Sequence, residues 1–261
     1  MTRMEDPRKP VILVIGEAKC GTSTVHEKLA GHPLICSTKR KELHYFDRAC
    51  PASWNYDKTF SPSSCEYFQQ LKDNCCGDNR YRYLLDSTPS YLRTPGVESL
   101  VREMVPDPKF LVLVRDPVSR LHSNFWFLKR KGFFPDAKDF DEFVSTTTHE
   151  EHLATTDSVT FDYASNLERW FRAFGGREKF LVIVFEEMIR WDNLFAEHLS
   201  EFLCLKFTPG FERVVIPQAP KGAKPFSHYP AISSYARKKL HAEFSEGINR
   251  LSTLLQRRLP W

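Results

Sequence analysis

Residues 11–25 read VILVIGEAKCGTSTV and decide the fold of this chain. Five apolar residues predict a buried strand, and the glycine-punctuated turn after it leads into a segment of helical character. Such a strand–turn–helix unit holds anions in α/β proteins, because free amides and the positive end of the helix dipole face the ligand. Gly16 and Gly21 are expected to supply backbone angles and close approaches that a Cβ atom forbids. The stretch therefore predicts an anion site, with Lys19 in the middle of the turn.

The turn differs from the nucleoside triphosphate loop, which reads G-x-x-x-x-G-K-[ST]. Its two glycines keep the same spacing, but Thr22 stands at the lysine position and the lysine has moved inside the turn as Lys19. That motif uses its lysine for the β- and γ-phosphates and its hydroxyl for Mg²⁺. We therefore expect the turn to hold a phosphate, but not ATP with its metal. An ordinary strand–turn–helix connection with a solvated lysine is the alternative.

The composition is that of a globular protein, with 261 residues, 41% hydrophobic and 27% charged. The net charge of +4 suits anionic ligands and does not by itself indicate nucleic acid, so we expect no nucleic-acid partner. No apolar run reaches the roughly 18 residues of a membrane span, and the first ten residues lack the apolar core of a signal peptide. We expect either a soluble protein of the compartment where it is made or a trimmed catalytic domain.

The seven cysteines fall into two groups. One group lies in a polar, loop-rich region where a disulfide would suit an oxidising lumen: Cys50, Cys65, Cys75 and Cys76. The other group lies in apolar or helical surroundings that predict buried thiols: Cys20, Cys36 and Cys204. The paired C-x-x-C spacing of a zinc site does not occur, so we expect no metal.

Strands and helices are predicted to alternate along the chain. Strands are predicted at residues 11–15, 34–37, 81–85, 109–114 and 179–185. Helices are predicted after the first turn and at residues 66–72, 98–104, 118–131, 139–145, 161–174, 187–204 and 233–255. This alternation predicts a parallel sheet, which binds ligands at the carboxyl ends of its strands. Lys19, Glu42, Ser87 and Arg115 would then line one crevice. No linker divides the chain, so residues 1–261 are expected to form a single domain.

Several segments, taken in order, carry a resemblance to a known family. They are GEAKCGTST, KELHYFD, LDSTPSYL, LVLVRDPVSRLHSNF, YASNLERWFRAFG and the terminal LPW. Together they resemble the sulfotransferases that use 3′-phosphoadenosine 5′-phosphosulfate (PAPS), especially the Golgi carbohydrate group with the heparan sulfate 3-O- and N-sulfotransferases. The resemblance implies a P-loop NTPase-like three-layer α/β fold with a central parallel sheet flanked by helices. It also implies sulfuryl transfer to a hydroxyl of a carbohydrate, in the Golgi lumen if this is a trimmed catalytic domain and in the cytoplasm otherwise.

PAPS carries two anionic ends, so the donor needs two anion sites. For the 5′-phosphosulfate the resemblance implies the Lys19 side chain and the backbone amides of Cys20, Gly21, Thr22 and Ser23. For the 3′-phosphate it implies Arg115 and Ser123, since a guanidinium fork suits phosphate oxygens. An ion pair of Arg115 with Asp116 or another surface acid is the alternative. A late loop that covers the nucleotide in the family matches Lys221, Gly222, Ala223 and Lys224, with Ala223 in place of the usual arginine.

The acceptor hydroxyl needs a base that takes its proton. Glu42 stands where the 3-O-sulfotransferases keep their catalytic glutamate and is the first candidate. His44 is the other, because its unperturbed pKa lies nearer neutrality. Ser87 stands where the heparan sulfate enzymes place a lysine that helps to stabilise the transferring sulfo group. Either Lys19 alone or Lys41 would take over that role on the acceptor side.

Other readings of the sequence stay open. The acceptor could be the hydroxyl of a small molecule or of a protein, or a glycan amine. A P-loop nucleotide kinase is a second enzymatic alternative, against which the missing lysine after Gly21 counts. A non-catalytic nucleotide- or glycan-binding module is a third, against which the presence of both Lys19 and Glu42 counts. The sequence leaves the oligomeric state open.

Overall fold

A five-stranded parallel sheet forms the centre of the structure, a computed structural model that describes residues 9–38, 40–73, 80–134, 136, 139–148, 162–190, 192–207 and 229–261. The strands are β1 (Val11–Gly16), β2 (Ile35–Ser37), β3 (Tyr83–Asp86), β4 (Pro108–Val114) and β5 (Phe180–Val184). They lie in the order β2-β3-β1-β4-β5, and each neighbouring pair is parallel. The predicted parallel sheet is confirmed, with β1 at its centre.

Helices connect the strands. They are α1 (Thr22–Ala30), α2 (Ser64–Lys72), α3 (Val97–Met104), α4 (Pro117–Arg130), α5 (Phe140–Thr146), α6 (Tyr163–Phe174), α7 (Phe185–Met188), α8 (Asp192–Leu203) and α9 (Ser234–Leu255). Short 3₁₀ turns lie at Asp47–Ala49 and Pro89–Tyr91. None of the helices in these ranges is long and apolar enough to cross a membrane.

The two faces of β1 pack into two separate cores. Val11, Leu13 and Ile15 belong to one core, which also receives side chains of α2, α3, α6 and the end of α9. Ile12 and Val14 belong to the other, with side chains of α1 and α8. A strand buried on both faces reads as a continuous apolar run, which is why the sequence pattern identified it. The sheet with helices on both sides confirms the predicted three-layer α/β fold.

The largest difference from the predicted elements follows β5. The sequence predicted a strand up to residue 185 and one helix over residues 187–204, whereas the structure starts the short α7 at Phe185 and a second helix, α8, at Asp192. Phe185 leaves the sheet and packs over the first turn, where its ring lies 2.8 Å from the position a Cβ atom of Gly21 would take. Met188 is buried on the same side. The break therefore places two apolar side chains against the glycine turn.

The cysteine predictions are partly wrong. Cys36 is disulfide-bonded rather than a free thiol, and Cys75 and Cys76 lie outside the described residues. Its strand β2 is the edge of the sheet, next to the loop-rich excursion. Cys204 is exposed, because it follows the end of α8 in a left-handed conformation with φ of 50°. Cys20 is a buried free thiol as predicted, and the loop cysteines Cys50 and Cys65 are free.

Candidate active site

The first turn of the chain needs both of its glycines. Gly16 ends β1 with φ of 139°, and a Cβ atom there would lie 2.5 Å from the backbone nitrogen of Leu113 on β4. Gly21 precedes α1 with φ of 89°, and its Cβ atom would meet Phe185. No side chain caps the amides at the start of α1. The turn is thus held close to its neighbours, and the helix N-terminus is presented as an anion site requires.

A buried ion pair between Glu17 and Arg120 holds the glycine turn against α4. Nη2 of Arg120 on α4 lies 2.6 Å from Oε2 of Glu17, and both side chains are almost fully buried. Nε of Arg120 also donates to the carbonyl oxygen of Ala18 at 3.1 Å, and Arg93 contacts the same Glu17 oxygen at 3.3 Å. Sequence reasoning missed this pair. The sequence signal was weak, because Arg120 lies between Val118 and Leu121 on a side of α4 that also buries the polar residues Ser123 and Asn124.

Cationic side chains converge on Lys19. Its backbone has φ of 70°, and its Nζ lies 4.3 Å from the ring centroid of Phe127. Burial, and then the positive charges of Arg130, Arg115 and Lys131, lower the pKa of Lys19 to about 8. Like charges that are held together by the fold, and partly removed from water, are compensated when an anion binds between them. This part of the site therefore suits an anionic ligand.

Arg115 is tied to the turn as well as to β4. Its Nη1 donates to the carbonyl oxygen of Lys19 at 2.8 Å, and its guanidinium lies 4.4 Å from the ring centroid of Phe185. Among the described residues, the acid at ion-pair distance from Arg115 is Glu186, 4.0 Å from Nε, and not Asp116. Asp116 caps α4 and pairs with Arg237 at 3.1 Å. Lys19 and Arg115 are thus brought together, as the strand-end rule predicted.

The remaining donor-side residues predicted from the sequence differ in their surroundings. Thr22 is buried and Ser23 is exposed at the start of α1, and Ser123 is buried two turns into α4. The Cys20 thiol lies 3.7 Å from the hydroxyl of Tyr163, and burial raises its pKa to about 12. The predicted late loop lies outside the described residues: Lys221, Gly222, Ala223 and Lys224. Among the described residues, no group of three or more His, Cys, Asp or Glu side chains could hold a metal ion.

A second cluster lies where β2 and β3 end. Nε2 of His44 is 3.5 Å from Oε2 of Glu42, and Nδ1 of His44 is 2.8 Å from Oδ2 of the fully buried Asp47. Lys41 pairs with the other carboxylate oxygen of Glu42. His44 thus lies between two carboxylates, and Glu42 lies between two cations. Sequence reasoning found Glu42, His44 and Lys41 but gave Asp47 no role, although it stands three residues after His44 in the same segment.

The charges of this cluster stabilise one another. Burial lowers the pKa of His44, but hydrogen bonds to Asp47 and Glu42 outweigh it and raise the pKa to about 9. The hydrogen bond from His44, and then Lys41, lower the pKa of Glu42 to about 2 against the effect of burial. At neutral pH Glu42 is therefore a carboxylate and His44 an imidazolium. In this state His44 has no free nitrogen to accept a further proton.

The backbone of this cluster adopts an uncommon conformation. Glu42 has φ of 64° and His44 has φ of 51°, as Lys19 has φ of 70° on the donor side. Left-handed conformations are uncommon for residues with a Cβ atom and concentrate at functional sites. The amide of Glu42 donates to the carbonyl oxygen of Ser87 at 3.2 Å, which joins the ends of the two strand connections. Six residues other than glycine have a positive φ among the described residues, and Lys19, Glu42 and His44 are the three of them that the sequence had singled out for chemistry.

Ser87 has a partner that the sequence analysis missed. Its hydroxyl lies 2.8 Å from Nδ1 of His26, one turn into α1 and four residues after Thr22. Burial, and then the charge of Lys41, lower the pKa of His26 to about 4, although Glu42 acts in the opposite direction. His26 is therefore neutral at physiological pH. His26 is on the donor-side helix α1, and its contact with Ser87 links that helix to the acceptor-side cluster. The sequence signal for this position was its spacing of four residues from Thr22, which places both on one side of the helix.

The fold and the site together define a P-loop-like α/β domain whose glycine turn and cationic cluster suit an anionic ligand. A family model described as "Sulfotransferase domain" matches residues 9–219, so the chain belongs to the sulfotransferase family. The predictions of this family and of the α/β fold are thereby confirmed.

Curated relatives point to the same family. Human heparan sulfate glucosamine 3-O-sulfotransferase 3B1 is 29% identical over 175 residues, which are 66% of this chain and 40% of that protein. Human heparan sulfate glucosamine 3-O-sulfotransferase 5 is 24% identical over 97% of this chain and 74% of its own length. The membrane-associated sulfotransferase kil1 of Dictyostelium discoideum is 25% identical over 54% of this chain and 28% of its own length. The chain thus spans less than half the length of the first of these relatives.

Solved structures share the fold. A sulfotransferase from Alicyclobacillus acidocaldarius is 25% identical, with a TM-score of 0.69 and coverage of 97% of this chain and 98% of that one. A mouse sulfotransferase complexed with PAP, the desulfated form of PAPS, is 13% identical with a TM-score of 0.55, over 96% of this chain and 89% of that one. At that identity the second likeness speaks for the fold alone.

Proposed function

We propose that this protein transfers the sulfuryl group of PAPS to a hydroxyl of a carbohydrate acceptor of the glycosaminoglycan type. One observation carries the proposal. A group of cationic side chains around Lys19 and a cluster of two acids and an imidazolium around His44 both lie where the parallel strands of one sheet end. The first suits the anionic donor, and the second suits an acceptor that loses a proton. Family membership and relatives that are named as heparan sulfate sulfotransferases support the choice of donor and acceptor.

The donor half of the proposal rests on the first turn. The Lys19 side chain and the amides of residues 20–23 would hold the 5′-phosphosulfate, as a cation and free amides hold an oxyanion. Arg115 and Ser123 would hold the 3′-phosphate, and residues 221–224 would cover the nucleotide. When the bond between sulfur and the bridging oxygen breaks, the positive charge of Lys19 offsets the negative charge that develops on PAP.

Glu42 is our candidate for the base. The acceptor oxygen forms the new bond to sulfur, and its proton passes to the Glu42 carboxylate. A carboxylate with a low pKa is sufficient if the proton leaves late, because the hydroxyl becomes strongly acidic as its oxygen bonds to sulfur. His44 already carries a proton at neutral pH, which argues against it as the base. We assign it the role of holding Glu42 in place and stabilising its charge.

Lys41 and Ser87 would act on the acceptor side. Lys41 is held against Glu42 and carries a positive charge that suits an anionic saccharide or the transferring sulfo group. Ser87 is bound by His26, so its hydroxyl is held at the end of β3 rather than directed freely into the cleft. Location in the Golgi lumen or the cytoplasm and the organisation as a single domain stay predictions.

A two-part experiment tests the proposal. The first part measures the melting temperature with PAP and, separately, with ATP and Mg²⁺, because a ligand that binds only the folded state raises it by mass action. We expect stabilisation by PAP, its loss in Lys19→Ala, and none by ATP with Mg²⁺. The second part follows ³⁵S transfer from PAPS to saccharides. PAP binding without transfer to any saccharide, phenol or alcohol would favour a binding module, and stabilisation by ATP–Mg²⁺ alone would revive the kinase alternative.

A further inference from the structure

An exposed tryptophan lies against the acceptor-side cluster. The ring of Trp54 is edge-to-face with that of His44, with 5.3 Å between the centroids and 83° between the planes. Its side chain is nevertheless 69% exposed, the largest exposure among the large hydrophobic side chains of the described residues. A single exposed aromatic residue is common on protein surfaces. This one is unusual because it contacts a histidine that in turn contacts Glu42.

The segment that carries Trp54 is well anchored. The amide of Ser53 donates to the carbonyl oxygen of Cys50 at 2.9 Å, and the amide of Asp57 donates to that of Arg48 at 2.9 Å. The side chains of Arg48 and Asp57 pair at 3.2 Å. Nδ2 of Asn55 lies 3.5 Å from Oδ1 of Asp47, the residue that holds His44. Trp54 is therefore presented at a fixed place relative to the catalytic cluster.

The protein has its own apolar cluster nearby, and Trp54 is not packed into it. Tyr45 and Phe46 are buried beside His44 in sequence and pack with Tyr67. An indole ring left in water lacks the stabilisation that the burial of a large apolar side chain provides. The segment is anchored and still leaves the indole ring of Trp54 exposed next to Glu42 and His44. The ring is therefore available to a ligand.

We propose that Trp54 is the stacking platform for a pyranose ring of the acceptor, which places the hydroxyl to be sulfated next to Glu42. This inference rests on the proposed function and names the chemistry of its acceptor. The C–H bonds of one face of a pyranose are apolar and carry partial positive charge, which suits the negative face of an indole ring. The hydroxyls at the rim of the sugar need polar partners, and Lys41, Glu42 and Asn55 lie around His44 and Trp54.

A flat phenolic acceptor fits this surface less well. Sites for small aromatic ligands are concave and mostly apolar, and they bury most of the ligand. Trp54 is largely exposed, and its described neighbours in the cluster are charged or polar. A ligand with one apolar face and a polar rim matches both features, whereas an aromatic ligand would leave its second face in water.

Calorimetric titration tests the platform separately from turnover. The whole chain is saturated with PAP and titrated with hexasaccharides of N-acetylheparosan, N-sulfated heparosan and chondroitin, and with p-nitrophenol. We expect Trp54→Ala to weaken saccharide binding by about tenfold or more, as the loss of one stacked apolar face would. Trp54→Phe, which keeps a ring, should retain most of the affinity. Tyr235→Ala is the matched control, because it removes another exposed ring, at the start of α9.

The outcomes separate the two proposals. PAP affinity should be the same in the wild type and in Trp54→Ala, and acceptor KM should rise in Trp54→Ala while the KM for PAPS does not. Saccharide affinity that is equal in the wild type and Trp54→Ala overturns the platform while leaving sulfuryl transfer intact. Binding of p-nitrophenol and of none of the saccharides also overturns it, and it redirects the acceptor to phenols. Failure of the wild type to bind PAP overturns the proposed function itself.

Discussion

Nδ1 of His44 lies 2.8 Å from Oδ2 of Asp47, a carboxylate that is completely buried. The same oxygen accepts a hydrogen bond from Ser90 at 2.6 Å. Because Asp47 is fixed from two sides, it determines both the orientation of the imidazole and its charge. His44 in turn contacts Glu42, so a buried residue sets the position of the proposed base.

The two histidines of the site should titrate at opposite ends of the pH range. His44 is expected to lose its proton near pH 9, because Asp47 and Glu42 stabilise the imidazolium, whereas burial and Lys41 keep His26 neutral down to about pH 4. NMR titration of the histidine ring signals measures both, with His44→Asn and His26→Asn as assignment variants. If the His44 signal titrated near the ordinary pKa of histidine, the result would contradict the stabilisation of its imidazolium by the neighbouring acids.

Asp47→Asn should lower the pKa of His44 and reduce kcat without weakening the binding of PAP. The amide keeps the shape of the side chain but removes the charge that stabilises the imidazolium. The measurements are the His44 titration, kcat with a saccharide acceptor and the affinity for PAP. Asp57→Asn is the control, since it removes a carboxylate on the same segment that pairs with exposed Arg48. If Asp47 had only a structural role, Asp47→Asn would lower the stability of the protein and leave the pKa of His44 unchanged.

Glu42→Gln should lower kcat by about 10²–10⁴, the usual contribution of a positioned general base, with little change in PAP affinity. The amide cannot accept the proton of the acceptor hydroxyl, and Lys41 loses its partner. Single-turnover measurements of ³⁵S transfer separate the chemical step from product release. An unchanged rate would show that Glu42 is not the base, and His44 would then be the next residue to test.

The sequence predicted the parts of this structure that depend on local patterns. Continuous apolar runs identified the central strands, and the glycine spacing identified the turn between β1 and α1. The cap at Asp116 and the proline after it identified the start of α4. The strand-end rule then correctly brought Lys19 close to Arg115, and Glu42 close to Ser87, although these pairs are far apart in the chain.

The parts that the sequence did not predict depend on contacts between distant segments. The pairs Glu17–Arg120 and His26–Ser87 join residues 103 and 61 positions apart. Neither pair has a motif, because each partner is an ordinary polar residue until the fold brings it to the other. The charge of His44 also follows from the packing of Asp47 and not from any residue type. Composition could not distinguish the bonded Cys36 from a free thiol for the same reason.

The buried pair of Glu17 and Arg120 should matter more for stability than for the chemistry. Arg120→Met leaves the buried Glu17 with the more distant Arg93, at 3.3 Å, as its cationic neighbour, so it is expected to lower the free energy of unfolding by about 3 kcal/mol, the lower end for a broken buried pair. Urea denaturation measures the loss. The double variant Glu17→Leu with Arg120→Met should recover part of it, because no buried charge then remains from this pair. Equal losses in the single and double variants would argue against the pair as the source.

The pH dependence of kcat/KM for PAPS should follow the protonation state of Lys19. Its pKa of about 8 means that it is protonated below that pH and loses its charge above it, so kcat/KM for PAPS should fall as the pH rises through 8. Lys19→Arg should retain a positive charge throughout the range and remove this fall, because arginine stays protonated. Lys131 shares the ring of Phe127 with Lys19, its Nζ lying 4.4 Å from the centroid. Lys131→Met should therefore raise the pKa of Lys19 and move the fall to higher pH, whereas an unmoved profile would assign the fall to a different group.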